Sequence, residues 1–334
     1  LGPVASVHTP GLLGWLFPSA IAEEANAVQD TQEPIIVQPG EAPTEVPDLT
    51  TLLDEIVAEE HGEEEITADQ RVTVDKNDLA INQNLPKDAY NVLLLATDSR
   101  DVNTTSGRSD VMIIASLNMT TSEIKLISLS RDLWLPLPNG AGSNKLNAAF
   151  AFGGPFLSVK AVNQKVERNI EDYVVVNFAT MAALVDSLGG VDIYLEGMEY
   201  AYINYNVAVS EDYEGFAKST TRLPLDEQAV DTTVSLDGLQ AVSYARIRKL
   251  DNDFQRGSRQ RILLQAMMDK GLTNLSLSSF SGMAVSMMNS VSTNVKLTTV
   301  MEIGTWLLSL DDLPSMNEMS IPVQGSYHSD TEKE

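Results

Sequence analysis

The chain has 334 residues, with 47 Asp+Glu against 22 Lys+Arg, a formal charge of −25, no Cys and three His. Zero Cys excludes thiolate catalysis, disulfides, thiolate-bound zinc and iron–sulfur clusters, and the acidic balance disfavours duplex binding through a broad basic face. His8, His61 and His328 lie near the two ends, so a Ser-His-Asp hydrolase is disfavoured and chemistry falls to carboxylates, arginines, lysines and hydroxyls, a set suited to oxygen-ligated magnesium and phosphoryl groups.

Residues 1–84 read as an acidic leader or spacer. The first 90 residues hold 18 of the acids but only Arg71, Lys76 and Lys87, and a run rich in Glu, Pro, Thr and Gln predicts disorder over most of its length. The apolar patch Gly11 to Phe17, closed by Pro10 and Pro18, is too short to span a bilayer. Ala25-Asn26-Ala27 resembles a signal-peptidase site, but no Lys or Arg precedes it and the chain does not start with Met. The expectation is a fragment whose membrane anchor is missing. Leu49, Leu52, Leu53, Ile56 and Val57 predict one short helix.

A folded domain is expected over 85–325, followed by a polar tail, 326–334. Tyr90 to Thr97 reads as a buried strand ending at Asp98; a polar loop leads to Asp110 and a second apolar run, Val111 to Leu117; a third, Ile124 to Leu129, ends in Ser130-Arg131-Asp132. If the three pair antiparallel in sequence order, Asp98, Asp110 and Arg131 converge on one sheet edge. Gly140 to Lys145 lacks the spacing of a nucleotide phosphate loop, although its glycines and Lys145 can offer donors to an anion. A Gly153-Gly154-Pro155 break precedes a helical pattern through Phe156, Val159, Val162, Val166 and Ile170. Next come a strand, Tyr173 to Asn177, a helix, Ala179 to Leu188, closed by Gly189-Gly190, and a strand, Val191 to Leu195, an α/β order. Residues 196–235 lack clear periodicity and read as an insertion, a candidate cover for the site. Asp237 is a plausible N-cap for Leu239 to Arg246; helices are then expected near Phe254 to Lys270, Leu277 to Asn289 and Thr298 to Leu308, before a strand at Met319 to Val323.

Arg246, Arg248, Lys249, Arg256, Arg259 and Arg261 crowd a short stretch that holds only Asp251 and Asp253 as acids. Arg256, Arg259 and Gln260 share a helix face. At about 7 Å and an effective dielectric near 20, each like-charged pair repels by about 2 kcal/mol, so a converged cluster needs an anion, and a pyrophosphate suits the planar guanidinium fork. The alternative is a solvated face paired with Asp251 and Asp253. Asp98 and Asp110 suit magnesium, which takes one or two carboxylates; ordinary loop capping is the alternative. Met267, Met268, Met283, Met287, Met288 and Met301 read as core filling more readily than as an adaptable apolar pocket.

Seven ordered blocks resemble the LytR-CpsA-Psr family of bacterial cell-wall glycopolymer ligases. They are Asp98-Ser99-Arg100, Arg108-Ser109-Asp110, Ser130-Arg131-Asp132, Lys145 to Ala151, Val185 to Val191, Asp237 to Ala241, and Tyr244 to Arg248 with Asp253 to Gln260. Two departures are Ser128-Leu129-Ser130-Arg131-Asp132 in place of the family's proline-containing S-I-P-R-D, and the length of 196–235. The resemblance implies an α-β-α sandwich with a central mixed sheet, on the extracytoplasmic face of the bacterial membrane and tethered by an N-terminal anchor. It implies transfer of a glycopolymer, such as a teichoic acid or capsular polysaccharide, from a polyprenyl-pyrophosphate carrier to a peptidoglycan hydroxyl. By position, Asp98, Asp110 and Arg131 would be catalytic, and Asp98 and Asp110 would hold Mg²⁺ or Mn²⁺. Arg100, Arg108, Arg131, Lys145, Arg246, Arg248, Arg256, Arg259 and Gln260 would bind the pyrophosphate. Phe156, Val159, Val162 and the late methionines are candidates for a lipid tunnel. A polyprenyl-pyrophosphate hydrolase and a non-catalytic lipid-glycan module remain as alternatives, and no nucleic-acid partner is expected.

Overall fold

The computed structural model describes residues 66–67, 70–85, 88–97, 107–210, 222–224, 231–247, 253–274, 277–310 and 314–323. Most of the leader, its expected helix and the tail lie outside these. Among the described residues, no helix is long and apolar enough to cross a membrane.

Three strands, β1 (Tyr90–Thr97), β2 (Ser109–Asn118) and β3 (Glu123–Leu129), pair antiparallel in sequence order, as expected. The turn between β2 and β3 is built by Asn118, whose side-chain oxygen accepts from the Thr120 and Thr121 amides. On the far side of β1, β6 (Asp172–Asn177) adds in parallel and β9 (Ser292–Thr293) closes that edge antiparallel. At the other edge β10 (Ser315–Ile321) runs parallel to β3. The result is a six-stranded mixed sheet in the order β10-β3-β2-β1-β6-β9.

Both faces of the sheet are covered, which is why its central strands read as near-continuous apolar runs. Leu93, Leu95, Met112, Ile114 and Ile127 turn to one face, against Phe150, Leu157, Val159 and Val162 of α1 (Ala148–Val166). Val92, Ile113, Ala115, Ile124 and Leu126 turn to the other. There they meet Leu264 and Met268 of α5 (Asp253–Asn274) and Val300, Ile303 and Trp306 of α7 (Leu297–Leu308). This is the α-β-α sandwich that the motifs imply.

A smaller unit continues from β6 through α2 (Phe178–Ser187), β7 (Val191–Leu195), α3 (Gly197–Ser210), β8 (Thr232–Leu236) and α4 (Gly238–Ala245), with α6 (Leu277–Ser290) following α5. The expected cap of α4 is present: the Asp237 carboxylate accepts from the Gln240 amide, and the Gln240 side chain accepts from the Asp237 amide. Gly238 lets α4 approach α2, since a Cβ there would meet the Ala182 carbonyl oxygen at 2.0 Å.

The expected insertion at 196–235 requires correction. Its first part is α3, an integral helix whose Tyr200, Tyr202, Ile203, Tyr205 and Val207 are all buried. A helix buried on most sides shows no amphipathic period, so the pattern reading found none. Asn204 holds a later piece of the same stretch, donating to the Leu223 carbonyl and accepting the Leu223 amide.

The boundary at 84 also shifts. Residues 70–85 form a strap across α1, with Leu79 buried and Val72, Val74 and Ile81 packed on the same core. The hinge in α1 explains one attachment. Gly153 and Gly154 leave helical geometry, Gly154 at φ 67° where only glycine sits comfortably, and the carbonyl of Phe152 is then available to accept the Val72 amide at 2.8 Å. Lys160 of α1 adds an ion pair to Asp78 at 2.7 Å and a bond to Asn139, and the Asn163 amide donates to the Leu79 carbonyl.

Candidate active site

Register brings the end of β1, the start of β2 and the end of β6 together, since Thr97 pairs with both Ser109 and Asn177. Asp110 of β2 and Arg131, just past β3, meet at this edge: Arg131 Nη1 lies 2.7 Å from Asp110 Oδ1. The expected convergence of these two residues is therefore present. Asp98 and Arg100 lie outside the described residues. The charge row continues, with Arg131 Nε 3.4 Å from Asp132 Oδ2 and Lys145 Nζ 2.8 Å from Asp132 Oδ1. The four side chains are between 19% and 36% exposed, accessible to a ligand yet partly shielded from solvent.

Lys145 reaches this row through a hairpin that pattern reading missed. Strand β4 (Trp134–Pro136) pairs with β5 (Ser143–Lys145), Trp134 opposite Lys145. The turn between them uses positive φ at Asn139, Gly140 and Gly142. The glycines thus shape a hairpin. Backbone bonds then lace the hairpin to the edge: Leu146 N to Leu133 O, Asn147 N to Arg131 O, and Ser109 N to Asn147 O.

Asn147 and Ser109 lie within the family's motifs, but the sequence pattern alone does not single them out. Both are fully buried, and neither the Asn147 amide group nor the Ser109 hydroxyl makes a hydrogen bond. An unsatisfied buried polar group costs about 1–3 kcal/mol unless a water or ligand meets it, so two side by side at this edge are candidates to face a ligand. Among the described residues, no three His, Cys, Asp or Glu gather at a metal-binding distance. The oxygens of Asp110, Ser109 and Asn147 are nevertheless hard donors, and they fit magnesium, which completes its shell with phosphate oxygens and water.

The arginines behave differently from one another. Arg246 closes α4 and stacks its guanidinium 4.6 Å from the centre of the Phe178 ring, while its Nη1 donates to Ser210 Oγ. Because Phe178 directly follows Asn177, this places Arg246 at the β6 end of the edge. Arg259 Nε donates to Glu199 Oε1 at 2.7 Å, with both side chains only 9% exposed, and its guanidinium stands 6.0 Å from the Tyr244 ring centre. Burial and the neighbouring Glu199 charge push the Tyr244 hydroxyl far above its usual range, so it stays protonated. Arg261 clamps α5 to the sheet through Glu318 at 2.8 Å and Ser128 at 2.7 Å. Arg256 is buried, and Arg108 and Gln260 are half-buried. Arg248, Lys249 and Asp251 lie outside the described residues.

The carboxylates beside Arg259 and Arg261 come from remote elements, α3 and β10, which sequence proximity does not disclose. Val159 and Val162 are fully buried under the sheet, and Phe156 packs edge-to-face on Tyr173 with ring centres 5.1 Å apart, so these residues build core. Met267 and Met268 pack on separate clusters on either side of α5.

A mixed sheet between helices, with a charged row on one edge, defines an α/β sandwich whose polar site lies at the strand ends. The chain belongs to the LytR_cpsA_psr family, whose model matches residues 55–333. It is 30% identical over 221 residues to the Enterococcus faecalis polyisoprenyl-teichoic acid–peptidoglycan teichoic acid transferase TagU, covering 65% of each chain. It is 33% identical over 206 residues to the protein of the same name from Bacillus cereus, covering 61% of this chain and 60% of that one. The matches therefore span less than two thirds of these relatives. Among solved structures it is similar to TagT bound to LI-WTA, with a TM-score of 0.56 and 25% identity over 75% of this chain and 87% of the other. It shares its fold, at a TM-score of 0.52 and 24% identity over 75% and 86% of the chains, with YwtF (TagT) carrying a bound octaprenyl pyrophosphate lipid.

Proposed function

We propose that this protein is a phosphotransferase that attaches a glycopolymer from a polyprenyl-pyrophosphate carrier to a peptidoglycan hydroxyl, at the outer face of the membrane with an N-terminal anchor. The observation that carries this reading is the Asp110–Arg131–Asp132–Lys145 row on the edge of the family's sheet. Arg131 and Lys145 bind the pyrophosphate, and Arg246 adds a third cation from the β6 end; Arg100, Arg108, Arg248, Arg256, Arg259 and Gln260 extend the set by resemblance.

The acceptor oxygen forms a bond to the phosphorus nearest the glycan. The bond from that phosphorus to the bridging oxygen breaks, polyprenyl phosphate leaves with the electron pair, and the hydroxyl proton passes to a carboxylate of the edge. Arginine stabilises the oxygens as charge develops on them. Asp110, with Asp98 by resemblance, would hold magnesium, which when bound neutralises phosphate charge.

Arg131→Ala is expected to lower turnover about 100-fold, the effect of removing one preorganised donor to a transition state. Chelation of the wild-type protein is expected to stop turnover until Mg²⁺ is restored. Undiminished turnover by Arg131→Ala would remove the charged row from the mechanism, and undiminished turnover in EDTA would remove the metal.

A further inference from the structure

Trp134 is the most exposed large apolar side chain among the described residues, at 66%, and it sits beside the charged row. Strand β4 alternates outward, inward, outward: Leu135 is buried in the core while Trp134 and Pro136 face solvent. Trp134 pairs directly with Lys145, so the two side chains leave the hairpin on the same face with Cβ atoms about 5 Å apart. Lys145 reaches Asp132, and Asp132 reaches Arg131. A broad aromatic surface therefore stands one residue away from the cations assigned to the pyrophosphate. Leaving an indole in water forgoes the burial that Trp normally gains, and nothing in the hairpin's packing requires an aromatic at this outward position.

We infer that Trp134 is a sugar platform: it stacks on the C–H face of a pyranose ring held next to the pyrophosphate. The physical basis is complementary. One face of a pyranose presents C–H groups carrying slight positive charge, and the indole face carries negative quadrupole density. Hydroxyls at the ring's rim are then within the range of Lys145 and Asp132. The inference deepens the proposed function and rests on it. The ring belongs either to the first sugar of the lipid-linked donor or to the sugar of the acceptor, chemistries that are alike and that one experiment separates.

The experiment compares wild type, Trp134→Ala and Trp134→Phe. Each is tested for affinity for a bare polyprenyl pyrophosphate, affinity for the same lipid carrying one sugar, and KM for a soluble peptidoglycan fragment. A donor platform gives the wild type about a tenfold preference for the sugar-bearing lipid, the size of one aromatic stacking contact. Trp134→Ala loses that preference with bare-lipid affinity unchanged, and Trp134→Phe keeps most of it. An acceptor platform instead raises the KM for the fragment about tenfold in Trp134→Ala, with both lipid affinities unchanged. If Trp134→Ala alters neither the sugar preference nor the KM, or weakens bare and sugar-bearing lipid equally, the platform is rejected. If the wild type fails to bind the bare lipid, the proposed function fails and this inference falls with it.

Discussion

Asn147 does two things with one residue. Its backbone ties the start of β2 to the loop after β3, through Ser109 N and Arg131 O, and its side-chain amide lies fully buried without a hydrogen bond. The backbone role tolerates many side chains, whereas the buried amide is a cost. Replacing it with an apolar group of similar shape should remove an unsatisfied group. Asn147→Leu is therefore expected to hold or raise the melting temperature while lowering turnover at least about tenfold, as for groups that orient a metal or its ligands. Full turnover at unchanged stability would show that the amide serves only the fold. At this scale sequence reading was uneven. Asp110 and Arg131 could be paired from three consecutive apolar runs and one topology rule. Asn147 could not be picked out, because its meaning depends on the polar partners it lacks inside a packed edge.

Between elements, the Arg259–Glu199 pair fastens α5 to α3. With both partners 9% exposed, removal of one leaves a buried charge uncompensated, at about 3–5 kcal/mol. Arg259→Ala is therefore expected to destabilise the fold by that amount. The double variant Arg259→Met with Glu199→Leu should recover most of the loss. A cluster held apart only by repulsion would give the opposite result, little loss in the single variant, and a denaturation series distinguishes the two.

The strap provides a pH-dependent counterpart. The Lys160 ammonium, first through its hydrogen bond and then through its charge, holds the Asp78 carboxyl below the usual carboxylate range. The stabilisation this gives is present above the unfolded-state value of about 3.9 and is lost as pH falls through the lower folded-state value. Hydrogen-exchange protection of the Val72 and Asn82 amides, which bond to Phe152 and Arg168, should therefore decline below about pH 4 and lose that dependence in Asp78→Asn. Protection that is independent of pH in the wild type would mean the ion pair does not secure the strap.

Over the whole molecule, the legible parts were those governed by local pattern: strands buried on both faces, the capped helix after Asp237, and the Gly153–Pro155 break. Contacts between distant segments were not legible. β10 joins β3 across nearly 190 residues, and Arg261 finds Glu318 on that same strand, so no local pattern announces either. α3 was hidden by its own burial, and the strap by its place at the end of the acidic leader, although within the strap Asp75 and Asp78 are balanced by Arg71 and Lys76.

The charged edge, by itself, supports attack on the pyrophosphate by a sugar hydroxyl or by water, since both pass through a similar transition state. Only a bound acceptor separates them, because a hydroxyl held in line reaches effective molarities of about 10⁵ M or more and outcompetes solvent. The deciding measurement is mass spectrometry of the products formed from a polyprenyl-pyrophosphate saccharide with and without peptidoglycan fragments. The account predicts a phosphodiester adduct when fragments are present and slow release of saccharide phosphate when they are absent. Equal yields of saccharide phosphate under both conditions, with no adduct, would contradict it.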